Sequence, residues 1–220
     1  MLALRFRSTL SLALVTLISA CGGAGITTEA TTDEQPAASM LATPSFSVAR
    51  SENALKPALE AEKRRIAREG ELSKPIYDQL KREWERQTQN RAVDPRLLVC
   101  DPLQYAADTK IIGPQGGDMS IGPHKLSIPK GALTGFVVIT GEAPVSLNVA
   151  VKLSPHGLTF LKAPELMLSY KHCHRPAQFR ERIAYVNDAG FIIEWPESRD
   201  GGSGEVFARI WHFSRYAVAW

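Results

Sequence analysis

Three shortages bound what this 220-residue chain can be. After residue 20 there is no run of 18 apolar residues, so no transmembrane helix is expected. Cysteine occurs only three times and never as Cys-x-x-Cys, which leaves no signature for thiol-redox work. Charge of one sign never dominates: there are 26 basic and 23 acidic residues, and without Arg5 and Arg7 the balance is 24 against 23. Nucleic-acid binding needs clustered positive charge, so it is excluded as a function class. The acidic residues Glu194, Glu197 and Asp200 lie in and beside a turn and read as solvated carboxylates, not as a catalytic pair. No constellation for catalysis on an external substrate is present, and no cofactor is implied.

The N-terminus carries the strongest positive signal. Arg5 and Arg7 form a short basic region, and no acidic residue precedes Cys21. An apolar run from Leu10 to Ile18, broken only by Ser11 and Thr16, is too short to span a bilayer but suits a signal-peptide core. It ends in Leu17-Ile18-Ser19-Ala20-Cys21, which resembles the lipobox of bacterial lipoproteins. Residues 1–20 are therefore expected to be a signal peptide, cleaved so that Cys21 becomes a lipid-bearing N-terminus, with palmitate among its modifications. Two or more acyl chains hold a protein stably at a membrane, where one does so marginally. Gly22 stands where an aspartate would favour inner-membrane retention, so the expected location is the cell envelope, anchored in the outer membrane.

Residues 21–50 are rich in Ala, Thr, Ser and Gly, and are expected to be a disordered tether holding the folded part roughly 30 Å from the lipid. Residues 51–90 change character and read as a charged helical segment with nine basic and eight acidic residues. Ser51 could cap a helix running to Arg68, with Leu55, Leu59 and Ile66 near one face. Gly70 is expected to break it. Ser73-Lys74-Pro75 would start a second helix carrying Ile76, Leu80 and Trp84 at fourfold spacing. The segment reads as a solvated hairpin or arm supported by pairs such as Asp78–Arg82, and its apolar face could serve oligomerisation.

From residue 100 to 220 the pattern is β. Val145, Leu147, Val149, Val151 and Leu153 alternate strictly, as do Leu166, Leu168 and Tyr170. Further short strands are expected at 137–139, 183–186, 191–195, 206–211 and 216–220. Gly- and Pro-rich turns such as Gly116-Gly117, Gly122-Pro123 and Asn187-Asp188-Ala189-Gly190 separate the strands. Many short strands without intervening helices argue an all-β, antiparallel β-sandwich.

Within this region several words occur in a characteristic order: Gly116-Gly117, then Leu126-Ser127-Ile128-Pro129-Lys130-Gly131-Ala132-Leu133, then Ser154-Pro155-His156-Gly157-Leu158-Thr159-Phe160. Ala163-Pro164-Glu165-Leu166 and His212-Phe213-Ser214-Arg215-Tyr216-Ala217-Val218 complete the set. Together they resemble a ZU-five domain, the β-sandwich of zonula-occludens proteins, netrin receptors and ankyrins. The resemblance implies an interaction or scaffolding module, here facing an unidentified envelope protein or surface polymer. Some ZU-five domains cut themselves within the same His-Phe-Ser tripeptide. The resemblance therefore implies an alternative reading in which Ser214 is the nucleophile, His212 the base and Phe213 carries the scissile carbonyl.

With Cys21 lipidated, Cys100 and Cys173 remain, an even number in an oxidising compartment, and are expected to form a disulfide. His172 and His174 flank Cys173 and would share one face of a strand, but a closed zinc site needs about four ligands. His124, His156 and His212 could join them only if the fold converged them, so no metal site is expected.

Overall fold

The computed structural model describes residues 46–86, 94–174 and 178–220. The expected signal peptide, Cys21 and the tether up to residue 45 lie outside these residues, as does the end of the helical segment at 87–90. The chain enters through a 3-10 turn, Glu52–Leu55, and one helix, α1 (Lys56–Arg86). Strands follow: β1 (Val99–Cys100), β2 (Ala106–Ile112), β3 (Gly117–Ile121), β4 (His124–Ile128), β5 (Val137–Ala143), β6 (Ala150–Ser154) and β7 (Glu165–Ser169). The rest are β8 (Cys173–His174), β9 (Arg182–Val186), β10 (Ile192–Glu194), β11 (Ser198–Asp200), β12 (Glu205–Arg209) and β13 (Arg215–Ala219). They form three antiparallel sheets, ordered β10-β9-β13-β6-β5-β2, β11-β12-β7-β4-β3 and β1-β8. The described residues are thus mostly β with one helix.

Alternation places the core. Met119, Ile121, Leu126, Ile128, Leu166, Leu168 and Val206 of the five-stranded sheet share one buried cluster with Ile139, Val151, Leu153, Ile183, Tyr216 and Val218 of the six-stranded sheet. Two sheets burying their apolar faces in a common core are compatible with an all-β sandwich. The expected alternation at Leu166, Leu168 and Tyr170 is present, and all three are buried. The run from Val145 is only partly a ladder strand: β6 begins at Ala150, because residues 147–149 bond instead to 97–100 and β13. Leu147 accepts from the Cys100 N–H, and Val149 accepts from Val218.

The helical segment departs from its expectation. Gly70 does not end a first helix and Ser73 does not start a second; α1 runs through both, with Pro75 inside it. Proline in a helix interior removes a bond and costs about 3 kcal/mol, so packing must hold this helix together. The supporting face is regular. Leu55, Leu59, Glu62, Ile66, Gly70, Ser73, Tyr77, Leu80 and Trp84 recur at three- and four-residue steps, and all are buried or half-buried. Ile76 falls off this face and is exposed. Gly70 faces the Tyr105 ring. The Trp84 ring lies 5.0 Å from that of His174. The helix is therefore docked on the β region, not solvated, and the face considered for oligomerisation is already occupied. No helix among the described residues is long and apolar enough to cross a membrane.

The docking is polar at its centre. Glu142 points outward from β5 yet is only 8% exposed. Its carboxylate accepts from the Arg65 guanidinium at 2.7 Å and from the Tyr105 hydroxyl at 2.6 Å. Arg65 also holds Glu62 at 2.8 Å, which keeps the Glu62 carboxyl below its usual range and the guanidinium firmly charged. The folded body also begins earlier than expected. Ala49 exchanges two 2.9 Å backbone bonds with Phe136, and Phe46 packs on the core, so residues 46–50 belong to the folded body.

Candidate functional site

Phe213 and Ser214 form the approach to β13. Phe213 is fully buried, its ring edge-on to Phe160 at 4.9 Å, and Ser214 is 1% exposed. The opposing turn is the Ser154-Pro155-His156-Gly157 word after β6. The Phe213 N–H donates to Leu158, and the Phe213 carbonyl accepts from the Gly157 N–H at 3.0 Å. Gly157 sits at φ 77°, a conformation glycine adopts without cost. Leu153 N–H donates to the Ser214 carbonyl, and Thr159 bridges His212. The two distant sequence words are therefore laced together by backbone bonds.

This lacing decides which histidine meets the serine. The Ser214 hydroxyl lies 3.1 Å from His156 Nε2. His212 turns the other way, its ring 5.3 Å from that of Tyr185 and its Nε2 4.0 Å from Glu194. Its carbonyl accepts from the Tyr216 hydroxyl at 2.7 Å, and burial pushes that phenol above its usual range. The geometry joins a hydroxyl, an imidazole and a carbonyl polarised by a backbone N–H, which are the parts of an intramolecular acyl shift. His156 was not legible as the partner. It stands 58 residues from Ser214, and the backbone bonds of residues 153–159 with 212–214 bring it there.

Cys100 and Cys173 form a disulfide, paired across β1 and β8 in direct register. The pair ties the start of the β region to the turn after β7. The Sγ atoms and a His172 ring nitrogen lie within 4.8 Å of one another. Both sulfurs are engaged in the S–S bond, so the cluster offers a single ligand and holds no metal in this form. His172 lies in a turn before β8, not on a strand with His174. Burial depresses its pKa. His174 contacts Asp101 at 3.3 Å. His124 is buried in β4, where its Nδ1 accepts from the Ser169 N–H at 3.1 Å. Burial first, and the neighbouring His172 second, lower its pKa to about 4. The Glu194, Glu197 and Asp200 carboxylates do not converge as a pair. Asp200 accepts from the Tyr170 hydroxyl and the Gly202 N–H, so it shapes the β11–β12 turn.

The surface that sequence reasoning overlooked is the outer face of the five-stranded sheet. Its register sets Asp118, Ser127, Glu165 and Arg209 in one row across four strands, with Lys125, Met167, Phe207 and Arg199 in the next. Each of these residues is exposed or half-buried. The signal was present as polar residues alternating with the core positions, but strand order was needed to see that they align. Set against known proteins, the chain matches no protein-family model and no curated protein.

Proposed function

We propose that the protein is a lipid-anchored lipoprotein of the cell envelope, held at the outer membrane through Cys21, whose ZU-five-like β-sandwich is a non-enzymatic interaction module. The observation that carries this reading is the contrast between its two large sheets. The outer face of the six-stranded sheet is covered over β2 and β5 by α1 and over its alanine cluster by Trp195, while that of the five-stranded sheet is open and polar. A face left uncovered, with charged groups aligned across strands, is suited to contact with another molecule. The burial of Ser214 supports the same reading, because an external substrate has no route to its hydroxyl. The test of the anchor is metabolic labelling with palmitate. Label should appear on the wild type in the membrane fraction and vanish in Cys21→Ala, which should become soluble. An unlabelled, soluble wild type would end this reading.

The 3.1 Å contact between Ser214 and His156 favours a second reading, self-cleavage between Phe213 and Ser214. In it Ser214 Oγ attacks the Phe213 carbonyl carbon as His156 accepts the hydroxyl proton. The C–N bond breaks, the proton passes to the departing Ser214 amine, and water hydrolyses the resulting ester. The intact mass of the denatured protein tests this. Two fragments would establish cleavage, and its loss in His156→Ala but not His212→Ala would identify the base. A single uncut chain would remove the reading.

A further inference from the structure

At the end of the Asp118–Ser127–Glu165–Arg209 row the open face carries a large aromatic ring. Trp211 lies two residues beyond Arg209 and is 60% exposed, and Leu161 beside it is 69% exposed. These side chains line an open groove of about 700 Å³ that runs along the row. A second hollow of about 290 Å³ shares Glu165 and Arg209 and continues the groove toward Arg199 and Phe207. Five strands lie side by side here, so the track crosses four interstrand steps of about 4.8 Å, roughly 19 Å in all. That length suits a chain of several units and is more than one small molecule needs.

The side chains restrict what the chain is made of. Exposed tryptophan is costly to leave in water and is suited to stacking on a flat apolar face. The Arg209 guanidinium makes no side-chain hydrogen bond or ion pair among the described residues, and Glu165 has only a 3.8 Å approach from Arg199. Planar carboxylates and guanidinium groups pair with neighbouring hydroxyls through two hydrogen bonds at once. Asp118 is already met by Lys125 at 3.3 Å, and the groove lining sets two acidic groups, Asp118 and Glu165, against two basic ones, Lys162 and Arg209, so it presents both signs. A polyanion or polycation would meet repulsion from half of these groups. A neutral chain with hydroxyls on its edges and C–H faces above and below meets none. We propose that this groove binds a neutral polysaccharide, with Trp211 stacking on one sugar ring while Asp118, Glu165 and Arg209 hydrogen-bond the hydroxyls of its neighbours.

The proposal rests on the binding-module reading and names its ligand class. Full-length protein in a sugar-free zwitterionic detergent is titrated with chitotetraose, cellotetraose and maltotetraose, and in parallel with a heparin tetrasaccharide and a polyglutamate peptide. Calorimetry and tryptophan fluorescence report binding. At least one neutral tetrasaccharide should bind. Trp211→Ala and Arg209→Ala should each weaken that binding by at least about tenfold, the effect of removing an anchoring group. Trp211→Phe should retain part of it, and Phe179→Ala, an exposed aromatic outside the groove, should leave it unchanged. Both groove residues are exposed, so these variants should keep the wild-type unfolding midpoint. Absence of binding by all three neutral sugars would overturn the proposal, as would binding that survives Trp211→Ala. Binding of heparin or polyglutamate alone would overturn it in favour of a charged partner. Palmitate labelling is independent of every one of these outcomes, so failure here is distinguishable from failure of the anchor.

Discussion

The two large sheets share a core but treat their outer faces differently. In β5, burial is nearly continuous: Val137, Ile139 and Ala143 face the core, while Thr140 and Glu142 are buried on the other side under α1. In β4, burial alternates, with Leu126 and Ile128 inside and Lys125 and Ser127 toward solvent. Most outer residues of the six-stranded sheet are accordingly small or satisfied, with Lys152 exposed between Glu142 and Arg215. Ala150, Ala184, Ala217 and Ala219 form a second cluster with Leu97 and Val186, covered by Ile192 and Trp195. Arg182 lies 4.8 Å from the Trp195 ring and shields it. The difference shows that a charged residue on a strand is not by itself a marker of exposure. Glu142 and Glu165 both point away from the core, and what lies over each decides whether it is structural.

The largest effect is expected in the small β1–β8 sheet, where His174 meets Trp84 near the end of α1. Cys173→Ser should cost about 4 kcal/mol, since the bridge closes a loop of 73 residues. Denaturant unfolding with and without reductant should show the loss in the wild type and no reductant effect in the variant. Next comes the core edge of the open sheet. His124 has a folded pKa near 4, below the unfolded value of about 6.5, so the unfolded chain takes up the proton first. Stability should be complete above pH 6.5 and fall by about 3 kcal/mol as pH drops toward 4. His124→Gln should flatten that slope, and an unchanged slope would place the acid sensitivity elsewhere.

The sharpest form of the comparison uses two Arg–Glu pairs. Arg65→Ala should cost about 2 kcal/mol, because it strips a partner from the buried Glu142 carboxylate, part of the loss being offset by Arg65's own solvent access. Arg199→Ala, which loses a 3.8 Å approach to the exposed Glu165 and a contact over the Phe207 ring, should cost no more than about 1 kcal/mol. Equal effects on the unfolding midpoint would erase the distinction between the faces. Smallest, Gly70→Ala should stabilise by roughly 0.5–1 kcal/mol, since an added Cβ meets Tyr105 at an ordinary 3.6 Å. A loss instead would mean that the helix needs that close approach.

Much of the β region was legible because period-two burial writes itself into apolar spacing. Leu166, Leu168, Ile183 and Val206 lie where that spacing puts them. β2 was not legible, since Ala-Ala-Asp-Thr-Lys is a poor apolar signal, and its strand character comes from seven consecutive pairings with β5. β11, Ser198–Asp200, is polar for the same reason: it is a sheet edge. The helix was legible as a charged segment but not as one piece. Local propensity argued for a break at Gly70 and Pro75, while the buried face from Leu55 to Trp84 overrode it.

The sequence by itself determined the antiparallel β character, the pairing of Cys100 with Cys173, and many of the residues that fill the core. All three follow from local spacing or simple counting. The tertiary structure decided that Ser214 meets His156 and not the adjacent His212, that α1 lies on β2 and β5, and that one sheet face stays open. They depend on contacts far apart in the chain, such as Ser214 with His156 at 58 positions and Arg65 with Glu142 at 77. No local pattern encodes such contacts, because they arise only when strand order brings separate segments into register.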